Sequence, residues 1–181
     1  IKAILKDDDD NLWLGTYGGG INLFKPSDSI TGQAGTISQY RPTQELATAK
    51  ISSLLKDSRG NLWAGTNGNG VYLFDGKSFR HFSQKTGLGQ DEVLDLAEDY
   101  WGNIWLGTYA GGIGRFAINS AITHVSLEEH IEHPGIRSTF KDSRGDFWIG
   151  TNGSGVLQVS KKEEAIQFSQ YTTEHGLLNN T

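Results

Sequence analysis

The sequence predicts an all-β protein, a β-propeller made of four-stranded antiparallel blades, and three observations lead to this prediction. The first is a segment that occurs four times, most clearly as Lys56-Asp-Ser-Arg-Gly-Asn-Leu-Trp-Ala-Gly-Thr-Asn-Gly-Asn-Gly-Val71. The second is the spacing of the copies, which is 50, 42 and 43 residues. A repeat of roughly 40–45 residues is the period of a propeller blade or of some helical arrays, and the local turn chemistry decides between them. The third is the composition, because 24 glycines, 3 prolines and 10% aromatic residues suit short strands joined by tight turns. The central tryptophans of the four copies are Trp13, Trp63, Trp105 and Trp148.

Within the second repeat, four short strands follow one another with a turn between each pair. The strands are predicted over 51–55, 61–66, 71–74 and 78–82. The first turn follows Asp57, whose carboxylate can bond to the backbone that comes after it, while Gly60 can adopt a positive φ. A second turn falls over 67–70, and Asp75-Gly76 is a strong signal for a two-residue hairpin. These elements make an antiparallel meander.

The other three repeats follow the same plan with local differences. The first has an insertion over 25–36 and carries Asp10 where the others have glycine, a position that aspartate tolerates in the left-handed region. The third becomes irregular over 121–134, with a helical turn expected over 127–133, and the fourth ends in a strand over 165–171. The chain is interpreted as one domain, 1–181, with blades at about 1–49, 50–92, 93–135 and 136–178, and with 179–181 starting the next inter-blade loop. Because it contains no Met and starts on an inner strand, we expect it to be a piece of a longer protein.

Charge and composition argue against several classes of function. The formal net charge is −5, the pI is near 5.5, and the longest basic run is Lys161-Lys162, so nucleic acid is not expected as a partner. No apolar run approaches the roughly 18 residues of a membrane span, so this segment is not expected to insert into a membrane. The absence of cysteine excludes disulfides and thiol catalysis.

Motifs for catalysis, metals and cofactors are also missing from the sequence. There is no nucleophile–base signature, no His-Glu-x-x-His and no phosphate-binding loop that precedes a helix, so no catalytic residue and no cofactor is predicted. The acidic run 7–10 lacks the ligand spacing of a calcium loop and is explained as a turn. His124, His130 and His133 are interpreted as solvated loop residues, and no metal is predicted.

The repeated pattern Asp-x-x-Gly-Asn-Leu-Trp-x-Gly-Thr-x-Gly-x-Gly-[Val/Ile] resembles the repeat of two-component regulator propellers. The resemblance covers essentially the whole chain. It implies the sensor region of a bacterial hybrid histidine kinase or a related regulator, located in the periplasm or elsewhere outside the cytoplasm, with any kinase lying outside this segment. Such propellers usually close with about seven blades, which implies that these four belong to a larger ring. The resemblance also implies a non-catalytic role and, as in many relatives, a glycan-derived ligand.

The residues that follow each Gly-Thr pair form the candidate ligand face. In a propeller these turns and the loops between blades lie at one end of the ring, around its axis. Aromatic and amide side chains alternate there, a combination suited to a small polar or carbohydrate ligand because rings cover apolar C–H faces and amides bond to hydroxyls. The alternative is that these are ordinary turn residues. The candidate ligand-binding residues are Tyr17, Asn67, Tyr109 and Asn152 in these turns, Gln90 and Asp91 in an inter-blade loop, and Arg137 on an inner strand. Arg137 is a candidate anion anchor, and the alternative is a solvated charge or a pair with Asp95.

Other interpretations remain open from the sequence. The chain could belong to a propeller enzyme, such as a lyase or a glycan-acting hydrolase, or to a purely structural protein–protein scaffold. A closed ring of four blades is an alternative to an open arc. An open arc would leave apolar flanks, so we expect self-association or contact with the remaining blades of the same protein.

Overall fold

Each repeat folds into one four-stranded antiparallel sheet, so the predicted all-β propeller architecture is confirmed. The computed structural model describes residues 1–27, 32–41, 43–117, 122–125, 127, 130–133, 135–162 and 165–181. Within each sheet the strands are ordered as they occur in the chain. The first strands of successive blades pack side by side, β1 on β5, β5 on β9 and β9 on β13, and therefore lie innermost.

The strands of the four blades have these bounds. Blade one contains β1 (Ala3–Lys6), β2 (Leu12–Gly15), β3 (Ile21–Lys25) and β4 (Thr36–Tyr40). Blade two contains β5 (Ile51–Lys56), β6 (Leu62–Thr66), β7 (Val71–Phe74) and β8 (Phe79–Phe82). Blade three contains β9 (Val93–Glu98), β10 (Ile104–Thr108), β11 (Ile113–Phe116) and β12 (Ile122–Val125). Blade four contains β13 (Ile136–Lys141), β14 (Phe147–Thr151), β15 (Val156–Lys162) and β16 (Ala165–Tyr171).

Four local features differ from the prediction or complete it. The hairpin at Asp75 is not a two-residue turn, because Phe74 pairs with Phe79 and the Asp75 carboxylate accepts the backbone N–H groups of residues 77 and 78. The loop after blade one contains an unpredicted single-turn helix, α1 (Gln44–Ala47), which is capped by the Thr43 hydroxyl. Single 3₁₀ turns, Gln84–Thr86 and Thr173–His175, open two other inter-blade loops. The helical turn expected over 127–133 is present in part, since the N–H groups of residues 130 and 131 bond to the carbonyl of residue 127, and the rest of it lies outside the described residues.

The predicted Asp turns form as expected, and they also anchor the tryptophans. In blade two, one oxygen of Asp57 accepts the backbone N–H groups of Arg59 and Asn61, and the other accepts the Asn61 amide and the Trp63 indole N–H at 2.9 Å. Gly60 has φ 85°, and Asp10, at the same place in blade one, has φ 62°. The Asp turn therefore supplies the hydrogen-bond acceptor that a buried indole requires.

Among the described residues the core consists of three apolar clusters, one at each junction between neighbouring blades. At the junction of blades two and three, Trp63 is 0% exposed and its ring meets Phe116 of blade three edge-on at 5.1 Å. Trp105 likewise packs on a ring of the following blade, since its ring centre lies 5.4 Å from that of Phe147 in blade four. Each of these tryptophans therefore faces the blade that follows it.

The glycine of the Gly-Thr pair makes room for the following blade. A Cβ atom on Gly15 would lie 2.5 Å from Cγ2 of Ile51, and one on Gly107 would lie 2.5 Å from Cγ2 of Ile136. Both isoleucines begin the inner strand of the next blade. These contacts are too short for any real Cβ, so close packing between blades explains the glycine at these two positions. In blades two and four the nearest atom is instead the hydroxyl of Ser53 or Ser138, on the inner strand of the same blade.

Candidate functional site

The turns after the Gly-Thr pairs lie at one end of the blades, here called the turn face, and the inter-blade loops hold them in place. In blade two, the N–H groups of Gly68 and Gly70 both bond to the carbonyl of Asp91, at 3.1 and 2.8 Å. The carbonyls of Ala49 and Asn180 hold the turns of blades one and four in the same way. The turn face is therefore a backbone-fixed platform.

A second repeated contact fixes the same turns, and sequence reasoning missed it. A side chain on the outermost strand of each blade bonds to a backbone carbonyl in the turn, as His81 does to Asn69 at 2.7 Å. These side chains are amides or imidazoles, and their matching positions in the four repeats are the signal that could have revealed them. They are Gln39, His81, His124 and Gln170.

Both predicted tyrosines are exposed on the turn face beside a cation. Tyr17 is 56% exposed, and Nζ of Lys50 lies 5.2 Å from the centre of its ring. Tyr109 is 46% exposed, and Cζ of Arg137 lies 5.9 Å from the centre of its ring. In each pair the cation comes from the next blade or the loop that leads into it. The result is two aromatic–cation pairs at equivalent places.

The two predicted asparagines occupy the matching places in blades two and four. The Asn67 amide donates to Oε1 of Glu92 at 2.7 Å, and its backbone N–H bonds to the carbonyl of Lys50 at 2.8 Å. The backbone N–H of Asn152 bonds to the carbonyl of Gly135 at 2.8 Å, and its side chain is exposed. Lys50 and Glu92 lie in the loops over 48–50 and 90–92, which precede inner strands and were predicted as loops to form part of this face.

Gln90 and Asp91 lie in the same loop, and both side chains contact nearby backbone. Oε1 of Gln90 accepts the N–H of Ala110 at 2.8 Å, which ties the loop to the turn of blade three. Oδ1 of Asp91 accepts the N–H of Gln84 at 2.7 Å and so orders the 3₁₀ turn. These two side chains shape the turn face from its rim.

A polar cavity of about 570 Å³ adjoins the turn of blade four. Its lining residues include Glu132, Ser154, Gln170, Glu174 and His175. Within the described part of the chain, no group of three or more His, Asp or Glu side chains is placed to hold a metal ion. The same described residues contain no helix long and apolar enough to cross a membrane.

The model of the family described as two-component regulator propeller matches the chain four times, over residues 1–18, 45–68, 87–110 and 131–153. Each match ends within or next to a turn of the turn face. No sequence among the curated proteins matches the chain.

Solved structures share the fold. The extracellular domain of the hybrid two-component system BT3049 from B. thetaiotaomicron aligns with a TM-score of 0.80 and 23% identity, over 97% of this chain and 23% of that one. The corresponding domain of BT4673 from the same organism aligns with a TM-score of 0.74 and 22% identity, over 96% of this chain and 24% of that one. Virginiamycin B lyase from Staphylococcus aureus aligns with a TM-score of 0.72 and 19% identity, over 96% of this chain and 56% of that one. The chain thus spans about a quarter of the two B. thetaiotaomicron domains and about half of the lyase.

Proposed function

Because the four repeats of this chain belong to the two-component regulator propeller family, we propose that it is a non-catalytic sensing or interaction propeller of a bacterial two-component signalling protein. The B. thetaiotaomicron domains with the same fold are extracellular parts of two-component systems, which supports a location outside the cytoplasm. The lyase fold is shared at 19% identity, and fold alone does not carry catalysis.

The ligand proposed for this propeller is carbohydrate-derived, and it would bind on the turn face. One observation carries this proposal: Tyr17 and Tyr109 present exposed rings at equivalent turns, with the Asn67–Glu92 pair between them along the chain. Aromatic rings cover the apolar faces of sugars, and amide and carboxylate groups bond to hydroxyls. Because the backbone beneath these side chains is fixed by the inter-blade loops, little order would be lost on binding.

Tyr109→Ala is expected to weaken oligosaccharide binding at least about tenfold, because it removes an aromatic contact on a rigid platform. Unfolding temperature should change little, since the ring is half exposed. Titration calorimetry with a panel of neutral and acidic oligosaccharides measures the affinity. Tyr100→Ala is the control, because Tyr100 is an exposed tyrosine at the opposite end of the same blade. Equal affinities for the two variants would remove the turn face from the proposal, and no response to any oligosaccharide would favour a protein–protein scaffold.

Apolar side chains are exposed on the outer flanks of blades one and four. Ile4 is 65% exposed, whereas Leu54 and Leu96, at the same place in blades two and three, pack into the clusters against the preceding blade. Phe140 is 64% exposed, whereas the equivalent Leu55 packs against the following blade. We propose that these flanks pair with flanks of another blade, which for the 181-residue chain in solution is a second copy.

Sedimentation velocity tests this pairing directly. The chain is expected to form dimers or larger species as its concentration rises, and Ile4→Lys with Phe140→Lys should raise the dissociation constant at least about tenfold, because each change places a charge on an apolar contact. Tyr100→Lys introduces the same charge on an exposed turn and should leave association unchanged. A wild-type chain that stays monomeric at every concentration would rule out pairing between copies.

A further inference from the structure

One core-facing position in blade three carries a cation. On the third strand of each blade, the residue paired with the central tryptophan is Leu23 in blade one, Leu73 in blade two and Gln158 in blade four. In blade three this residue is Arg115, which pairs with Trp105. An arginine therefore points into the junction of blades three and four. A leucine occupies the equivalent position at each of the first two junctions.

The guanidinium of Arg115 is not neutralised within the described part of the chain. Its Nε atom is buried without a hydrogen bond, and the structure shows no ion pair to Arg115 from any described carboxylate. Its Cζ atom lies 5.8 Å from the centre of the Trp105 ring, a cation–π contact that offsets only part of the loss of hydration. A partly buried cation in this state favours an anion from outside.

Arg115 lines a cavity of about 310 Å³ at the junction, which lies at the Asp-turn end of the blades, opposite the turn face. Trp101, 45% exposed, lines the same cavity from the Asp turn, where blades two and four carry Arg59 and Arg144. Val159 and Ile166 of blade four form the opposite wall, and the hydroxyl-bearing Ser160 lies between them in the lining. The cavity thus combines an indole, an apolar wall and one cation that forms no ion pair with the described carboxylates.

Asp99 also lines this cavity, but its carboxylate oxygens already accept hydrogen bonds from its own blade. Its oxygens accept the indole N–H of Trp105 and the side-chain amide of Asn103, each at 2.8 Å, and the backbone N–H groups of Trp101 and Asn103 at 2.9 Å. Four neutral donors hold the Asp99 carboxylate in place, and the structure shows no ion pair between it and Arg115.

We propose that this cavity binds a compact six-membered ring that carries a carboxylate. The carboxylate would pair with Arg115, whose planar fork of donors matches carboxylate geometry, and one face of the ring would lie on the Trp101 indole. A volume of about 310 Å³ is at the lower end for ligand pockets and suits one ring rather than a chain of sugars. The site is separate from the turn face and does not depend on the function proposed there.

Titration of the 181-residue chain with glucuronate, glucose and benzoate tests this site, with the indole N–H signals of Trp101 and Trp105 followed by NMR. Glucuronate, benzoate or both are expected to shift these signals, and the two acids distinguish a sugar acid from an aromatic acid as the ligand. Glucose, which is a similar ring without the carboxylate, should leave them unchanged. Arg115→Leu and Arg115→Gln, which restore the residues of the other blades, should each weaken the binding of the acid at least about tenfold. Both variants are expected to unfold at or above the wild-type temperature, because each removes a partly buried cation that pairs with no described carboxylate.

Two control variants complete the experiment. Arg80→Leu removes an exposed arginine that also lies near aromatic rings and should leave acid binding unchanged. Tyr109→Ala should likewise leave it unchanged, so a failure of the turn face and a failure of this cavity are told apart. Unmoved indole signals with both acids, or full acid affinity in Arg115→Leu, would overturn the proposal.

Discussion

Trp63→Ala is expected to reduce the free energy of unfolding by about 3–5 kcal/mol. The ring is fully buried, stacks on Phe82 at 6.3 Å and meets Phe116 of the next blade at 5.1 Å. Alanine would leave a cavity at the centre of the cluster between blades two and three, and it would leave the Asp57 carboxylate without one of its donors. Urea unfolding followed by circular dichroism measures the loss.

Trp148→Ala is the matched control for this change. Trp148 occupies the same place in blade four, but no blade of this chain packs over it, and its ring contacts Tyr171 of its own blade instead. At protein concentrations that keep the chain monomeric, its replacement should therefore cost clearly less than that of Trp63. If the two variants lose the same free energy, the contribution of Trp63 comes from within its own blade and the packing between blades is not decisive.

Asp57→Asn is expected to reduce the free energy of unfolding at neutral pH by about 2–4 kcal/mol, because a buried carboxylate that accepts four donors is replaced by an amide that also donates. Burial alone would raise the pKa of Asp57. The hydrogen bonds from Trp63 and Asn61, with the charge of Arg59, outweigh burial and hold the pKa below its usual value. Asparagine would direct an N–H group toward at least one of these donors.

The lowered pKa of Asp57 also sets a pH dependence. Because the folded pKa lies below the unfolded one, the carboxylate contributes stability that is fully present above about pH 4, near the unfolded value, and is lost as the pH falls through the folded pKa. Between about pH 7 and pH 2, the free energy of unfolding should therefore depend less steeply on pH in Asp57→Asn than in the wild type. Asp75→Asn is the control, since Asp75 also has a lowered pKa but lies in an exposed turn, and its change should be much smaller. If the free energy of unfolding changes with pH to the same extent in Asp57→Asn and in the wild type, this account is contradicted.

The fold was largely predictable because every blade meets the same local requirements. The left-handed conformation of Asp10 and the strand over 165–171 followed from residue chemistry and from the repeat, and both are present. The turn after Phe74 was mispredicted because the Asp75 side chain satisfies two backbone donors and lengthens the loop. Helix α1 is a single turn, too short to produce a periodic pattern, and its formation depends on the Thr43 cap.

The candidate site was predictable only as a set of turn positions. The pairing of Tyr17 with Lys50, and of Tyr109 with Arg137, depends on how one blade docks on the next, which no local pattern encodes. Arg115 could have been noticed only by aligning third strands, where it replaces the leucine of blades one and two. Its significance depends on the missing carboxylate partner among the described residues, which is a property of the folded junction.

The orientation of Trp63 and Trp105 toward the following blade has a consequence during translation. A ribosome releases the tryptophan of one blade well before it has made the strands that cover that residue, because the next blade is about 40 residues away. At about 5–20 residues per second, the aromatic surface stays in water for roughly 2–8 s. Each newly made blade therefore exposes an apolar surface on the side that the next blade will cover. The tendency to aggregate is highest during this interval, which recurs once per blade as the chain emerges.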